Sequence, residues 1–474
     1  MKTKKTKKLK KLFLLLCILL FPSEALCAPL TLRDAVRTAL VENPEVAAAE
    51  QDAAVLGARV AQARSHHWPS VALDAGFVHL SEEPVLKIPP ININLPADIP
   101  LTLAPGKTVA VPLPQLPPVR LPNIPLARQN LTEVALSVQL PLYTGGRVEY
   151  GVEQLNQGVI ALRAKADSKR DEIAYSVVKA YLGAVLAQRS AEVAENAYST
   201  VEQHQKQAAK AVEAGMVPRY EEIRARAELA NQDRRRLDAH NQADLAMALL
   251  MDTLGTPEGE PPTLTTPLKF GKDVKNIASQ WEPSIQEALD ASHDLKALAA
   301  RDRAYQAAEK GAAAELLPTV ALQGSQEIYN KGLFDKDLPM TSPGGFIGLV
   351  AHLPLFDGGN ARAKKAEQSL LRQRNQSDER RLRNGIRLEV RKYNLDQRTA
   401  QKALQATDQA IALASENLRL ATRRFAVGEG TGLEKMDAIL TLSIAETNQE
   451  QARYQYDLAY YGLKKAMGAI REEF

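Results

Sequence analysis

Leu140-Pro141-Leu142-Tyr143-Thr144-Gly145-Gly146 returns 213 residues later as Leu353-Pro354-Leu355-Phe356-Asp357-Gly358-Gly359. In each copy an alternating apolar stretch meets a proline and then a Gly-Gly pair, which reads as a strand ending in a tight turn. Around these stretches residues 134–255 align with residues 347–468 without a gap. Gly215 then falls on Gly428, Asp244-Leu245-Ala246 on Asp457-Leu458-Ala459, and Gly255 on Gly468. Further upstream Pro44, Val46 and Trp68-Pro69 match His293, Leu295 and Leu317-Pro318 at an offset of 249, so the first copy carries 36 extra residues between 69 and 134. One supersecondary unit is used twice, and fold and function are to be read from that unit.

The first repeat covers 28–255: a helix over 31–66, strands over about 70–80 and 132–143, a proline-rich outer loop over 83–127, and a helical hairpin over 147–254. The second covers 283–468: a helix over 283–316, strands over about 319–329 and 346–356, and a hairpin over 360–467. Residues 256–282 form a linker crossing the waist of the helical part, and 469–474 a tail.

After Gly146 apolar residues recur in alternating steps of three and four: Ile173, Val177, Ala180, Ala184, Ala187, Ala191, Ala194, Tyr198 and Val201. The second copy continues in kind from Ile386 and Val390 to Leu418 and Ala421. This is the 3.5-residue period of helices packed side by side. Each outgoing run, Arg147–Ala214 and Asn360–Val427, spans 68 residues without proline, about 100 Å as helix. Gly215-Met216-Val217-Pro218 and Gly428-Glu429-Gly430-Thr431-Gly432 then reverse the chain. The return helices are half as long, so the preceding short helix is expected to cover the other half of each long one.

The strand segments alternate with period two, as in Val71, Leu73, Ala75 and Phe77, then Val134, Leu136, Val138 and Leu140, then Val320, Leu322 and Ile328, and lastly Ile347, Leu349, Ala351, Leu353 and Leu355. Strands of about ten residues with one apolar face fit a transmembrane β-barrel. A half-buried soluble sheet gives the same alternation, but nothing else in the repeat is free to cover it. Four strands cannot close a barrel, for which about eight is the practical minimum, so closure requires several chains. The insertion, with Ile88-Pro89-Pro90, Leu113-Pro114-Gln115-Leu116-Pro117-Pro118 and Leu121-Pro122-Asn123-Ile124-Pro125, reads as an extended, polyproline-like outer loop.

Residues 1–27 read as an export signal: seven lysines precede the apolar run Leu12–Phe21, too short to span a bilayer. Removing those lysines and Glu24 turns the formal charge of +4 into −2, which takes away the basic-protein argument for nucleic acid. Both cysteines, Cys17 and Cys27, belong to that segment, so a disulfide or cysteine-ligated metal is not expected beyond it. No phosphate-binding loop, nucleophile elbow or zinc motif is present. His66-His67 is the single histidine cluster. The sequence therefore indicates no catalytic residue, no metal site and no cofactor.

The duplicated strand and helix pairs, the joints ending in Gly145-Gly146 and Gly358-Gly359, the opening Ala39-Leu40-Val41-Glu42-Asn43-Pro44 and the turn Arg424-Phe425-Ala426-Val427-Gly428 together resemble the TolC-like outer-membrane efflux proteins of Gram-negative bacteria. The resemblance implies a mainly α protein with a membrane β-barrel: a homotrimer whose twelve-strand barrel continues as a twelve-helix tunnel through the periplasm. It implies a passive exit duct of a tripartite efflux or type I secretion system, not an enzyme, with a periplasmic adaptor and an inner-membrane pump as partners. Carried over by position, Gly215, Met216, Val217 and Pro218 with Gly428, Gly430, Thr431 and Gly432 would meet the adaptor. Arg423 and Arg424 would pair with Glu221, Glu222 or Glu434 as a tip latch, and Pro141, Gly145, Gly146, Pro354, Gly358 and Gly359 would form the strand-to-helix joints. The competing reading is a periplasmic or surface coiled-coil spacer or adhesin without channel activity.

Overall fold

The computed structural model describes residues 29–125, 127–257, 260–268, 281–333 and 344–474. The export signal read over 1–27, and the parts of the linker at 258–259 and 269–280, lie outside them. In chain order the elements are β1 (Pro29–Leu30), α1 (Leu32–Glu42), α2 (Pro44–Ser65), β2 (Ser70–His79), β3 (Val85–Leu86), β4 (Asp98–Ala104), β5 (Lys107–Pro112), β6 (Ile124–Pro125) and β7 (Ala127–Tyr143). Then come α3 (Arg147–Glu213), α4 (Arg219–Leu254), β8 (Thr263–Leu264), α5 (Trp281–Ala291), α6 (His293–Ala314), β9 (Thr319–Leu333), β10 (Gly345–His352), α7 (Asn360–Ala426), α8 (Gly432–Ala466) and a 3-10 turn, Ile470–Glu473. They fall into two compact units, one of residues up to Gly57, Leu155–Tyr305 and Leu370–Phe474, the other of Ala58–Gln154 and Gln306–Ser369.

The first unit is helical. Each long helix, α3 or α7, is 67 residues. Toward its start α3 packs on α2, with Lys169 against Glu45 (2.6 Å) and Arg170 against Glu50. Farther along it meets α4, with Arg236 against Glu195. Similarly α7 meets α6 at Arg372–Asp302 (3.1 Å) and α8 at Gln449–Asp408 (2.6 Å). Two apolar cores use matching positions. Ala39, Val46, Ile173, Val177 and Leu250 are buried in one, and Ala288, Leu295, Ile386, Val390 and Leu463, their counterparts in the repeat, in the other. Each leucine, valine or isoleucine so buried contributes about 1.5–3 kcal/mol.

The expected helix over 31–66 is two helices, and so is the one over 283–316. Asn43 precedes Pro44, and proline drives its neighbour out of the helical region; Asn43 takes φ −69°, ψ 124°. Its side chain closes the break by accepting from the Glu45 amide (2.9 Å) and donating to the Thr253 carbonyl (3.0 Å). In the second copy Ser292 takes this place, accepting from the Leu295 amide at 3.3 Å. Within the linker β8 pairs in parallel with β1, and both are tied to α3 by Tyr181. The buried Tyr181 hydroxyl donates to the Leu30 carbonyl (2.8 Å) and accepts from the amides of Thr265 and Thr266.

The second unit holds a four-stranded antiparallel sheet in the order β10-β9-β7-β2. Its register places Val71, Leu73 and Phe77 beside Val138, Leu136 and Thr132, and Ile347 and Leu349 beside Gly324 and Leu322. One face is thereby apolar across all four strands. The other carries Asp74, Ser137, Gln139, Gln323 and Ser325, with Ser137 Oγ donating to Asp74 Oδ2 at 2.9 Å. The last strand ends at His352 rather than 356, because β9 begins at Thr319 and no partner remains for Leu353-Pro354-Leu355.

The insertion is not the expected polyproline loop. From Ser70↔Gln139 through Val85↔Pro125, Ile91↔Val119 and Asp98↔Pro112 to Ala104↔Lys107, pairing drifts by just two residues, so 70–143 is one long hairpin turning at Gly106. Prolines interrupt the ladder into segments, and its register slips by one residue between His79↔Asn130 and Val85↔Pro125 and again between Thr102↔Thr108 and Ala104↔Lys107.

Candidate functional site at the helical turns

The turns joining α3 to α4 and α7 to α8 have the same construction. Gly215 (φ +73°) and Gly428 (φ +80°) adopt the left-handed conformation that glycine takes without steric cost. The Gly215 and Met216 amides donate to the carbonyls of Val212 and Ala211, and those of Gly428 and Glu429 to Phe425 and Arg424. These bonds satisfy the last helical carbonyls and stop each helix. The following helices start differently. Thr431 caps α8 through its hydroxyl, which accepts from the Glu434 amide (3.2 Å), whereas Pro218 opens α4 with no side-chain cap. Met216 and Val427 stand exposed at the two turns.

Of the residues read as a latch, Arg424 and Glu434 come together at 3.3 Å across the second turn, and the Arg424 guanidinium also donates to the Glu429 carbonyl. Arg423 lies on the Glu416 side, where Arg419 is the main cause of that carboxyl's lowered pKa and Arg423 a smaller one. Glu221 meets neither arginine; a Cβ on Gly432 would stand 2.8 Å from Glu221 Oε2 and 3.4 Å from His204 Nε2. Gly432 is thus where α8 presses on α3 and α4.

Sequence reading missed the residues in that contact. His204 is buried, its ring edge-on to Phe425 at 5.1 Å between centroids. Lys435, also buried, donates to Gln207 Oε1 (2.9 Å) and lies 5.2 Å from the Phe425 ring centre. Burial lowers the Lys435 pKa, and burial, then Lys435, lowers that of His204 to about 4. The signal was available: Ala197, Val201, His204 and Ala208 keep the three-four step of the buried stripe. A cavity of about 200 Å³ lies between the turns, bounded by His204, Val217, Pro218, Phe425, Gly430 and Gly432.

The strand-to-helix joints lie in the other unit. Gly145 and Gly146 (φ +66° and +85°) match Gly358 and Gly359 (φ +69° and +89°). A side chain on Gly145 would meet Leu317 Cβ at 2.9 Å. Asp357 accepts from the amides of Gly359 (2.8 Å) and Ala361 (2.7 Å), which caps α7 and lowers its carboxyl pKa. Pro141 sits in β7 where just β9 is alongside, at a register shift; Pro354 follows the end of β10. Among the described residues no group of three or more His, Cys, Asp or Glu side chains could hold a metal, and no helix is long and apolar enough to cross a membrane.

Three comparisons bear on this arrangement. The TolC outer membrane protein of Vibrio cholerae is 30% identical over 213 residues, which cover 42% of this chain and 48% of that protein, so the match spans about half of the relative's length. A membrane protein from Pseudomonas aeruginosa has the same fold, with a TM-score of 0.72 at 20% identity over 92% of each chain. The open MtrE outer membrane channel of Neisseria gonorrhoeae gives 0.70 at 19% identity, over 93% of this chain and 89% of that one. The family model described as outer membrane efflux protein matches residues 123–256 and 284–469, which include both helical hairpins with their turns and joints, and the chain belongs to that family.

Proposed function

We propose that this protein is the outer-membrane exit duct of a tripartite efflux or type I secretion system, a passive channel assembled from three copies. The observation that carries the reading is the sheet. Val71, Leu73, Phe77, Ile347 and Leu349 share one face and are each more than 60% exposed in the single chain, while among the described residues nothing pairs with the outer edge of β2 or of β10. Exposed apolar faces and open edges are avoided in water; both suit a barrel wall in lipid. The ten residues of β2 rise about 33 Å, which a tilt of about 40° brings to the apolar band of about 25 Å of such barrels. Three chains would supply twelve strands, and the helices following each Gly-Gly joint would continue the wall through the periplasm.

On this reading Gly215, Met216, Val217 and Pro218 with Gly428, Gly430, Thr431 and Gly432 receive a periplasmic adaptor, which links the duct to an inner-membrane pump. The cavity between the turns and the exposed Met216 and Val427 support it, since a bare glycine turn lets a partner backbone approach closely. The Arg424–Glu434 pair, more than 40% exposed on both sides, is worth under about 1 kcal/mol alone, so a latch needs its threefold repetition. Detergent-extracted protein should run as a trimer and conduct ions across planar bilayers. A monomer that stays in solution without detergent and gives no conductance would instead favour the spacer reading.

A further inference from the structure

We propose that His204 makes the seam between the two helical turns acid-sensitive: the neutral imidazole seats in the packed seam, and protonation favours a state in which the turns part and water reaches the ring. Four helices converge on this residue. Besides α3, which carries it, α7 brings the Phe425 ring, α8 brings Lys435 and the close backbone of Gly432, and α4 brings Glu221. Among the described residues His204 Nδ1 is buried with no hydrogen-bond partner. The ring therefore sits where a neutral nitrogen is tolerable and a charged N–H is costly.

The charges facing it come from three elements. Lys435 opposes protonation and Glu221 favours it, the lysine having the stronger effect. Arg224 and Glu228 of α4 and Asp437 of α8 border a second cavity of about 210 Å³ that His204 shares with Glu221, and the Arg424–Glu434 pair spans the turn alongside. A second cation would enter a seam that already holds the buried Lys435 ammonium, fixed by Gln207 and the Phe425 ring. Separation of the turns relieves this by hydrating both groups. The inference rests on the channel reading just for its consequence, that acid would ease opening at this end; the seam's response belongs to the chain itself.

The test uses full-length protein with spin labels at Met216→Cys and Glu429→Cys, diluted in excess unlabelled protein so that each distance lies within one copy. With a pKa of about 4 in the packed seam against 6.5 in water, the open-to-packed ratio should rise about twenty-fold between pH 7 and pH 5. A second, longer distance should appear accordingly. His204→Gln should reduce the change to less than about two-fold. His204→Phe, which keeps an aromatic ring against Phe425, should hold the short distance at both pH values, and Glu221→Gln should displace the response to lower pH. A wild-type distribution that is the same at pH 7 and pH 5, or an undiminished response in both His204 variants, would overturn the proposal. Conductance recorded on the same samples separates the two readings: a pH-dependent seam in a protein that conducts no ions would refute the channel and leave the seam.

Discussion

Asn43 donates its side-chain amide to the carbonyl of Thr253 at 3.0 Å, so the break in the first short helix and the end of the first return helix form a single joint. Beside it a Cβ on Gly255 would stand 2.9 Å from the Glu42 carbonyl oxygen. In the second repeat Gly468 lies against the corresponding Ala291, a Cβ there standing 2.9 Å from the Ala291 Cβ and 3.7 Å from its carbonyl oxygen. The duplication has therefore kept a contact as well as a pattern of residues.

Two glycines with the same backbone conformation should respond differently to alanine. Gly215→Ala adds a methyl to open space at φ +73°, and should cost about 1 kcal/mol. Gly255→Ala at φ +85° adds the collision with Glu42, and should cost about 2–4 kcal/mol in all. Urea unfolding of the two variants in detergent, followed by helical circular dichroism, measures the difference.

At the waist Asp171 is buried and bonded to Arg471 Nε at 2.6 Å, and the Arg471 guanidinium also donates to His293 Nε2 (3.0 Å). Burial raises the Asp171 pKa above its ordinary value, and Arg471 partly opposes the rise. Arg471→Met should push that pKa up further. A carboxyl whose folded pKa lies above its unfolded one is accommodated below the unfolded value and loses that stability as pH rises through the folded value. The variant should thus be close to wild type near pH 4 and lose about 3 kcal/mol at pH 7, which unfolding at the two pH values would show.

The two faces of the sheet should differ in their tolerance of charge. Leu349→Arg places a guanidinium on the apolar face and should cost about 2–4 kcal/mol of assembled stability. Gln323→Lys, on the polar face, should be nearly neutral. Heat-resistance of the trimer on gels, compared for the two variants, reads this out; equal behaviour would remove the lipid-facing assignment.

At the turns Met216→Arg should reduce export at least ten-fold with trimer yield unchanged, because Met216 is 79% exposed. Gly430→Trp should abolish export too. Since a Cβ there would come within 3.0 Å of Arg424 Cβ and 3.1 Å of the Phe425 amide nitrogen, that variant also disturbs the turn, and export by Met216→Arg at the wild-type rate would sink adaptor docking here.

The duplication, the long helices, the four strands and the glycine positions were all legible, because periodic burial and left-handed turns leave marks in single residues. The breaks at Asn43 and Ser292 were not, although Pro44 was in view: the apolar stripe runs through them, and what closes each break is a side-chain hydrogen bond. The ladder in the insertion was hidden because prolines argue against strands one residue at a time, whereas register belongs to two arms together. At the turns the arginines drew attention through their charge. His204 and Lys435, which fill the seam, looked like members of a helical stripe and of a polar helix start, and their burial follows from the approach of four helices.

That register gives the outer hairpin a rule of growth. Because pairing from Val85↔Pro125 through Ile91↔Val119 to Thr102↔Thr108 keeps its phase, the arms can lengthen or shorten together there, residue for residue, and the sheet beneath is undisturbed. A single residue added to one arm between Val85 and Thr102 would instead turn the following side chains of that stretch to the opposite surface. Parity, more than length or composition, is what descendants of this chain must conserve there.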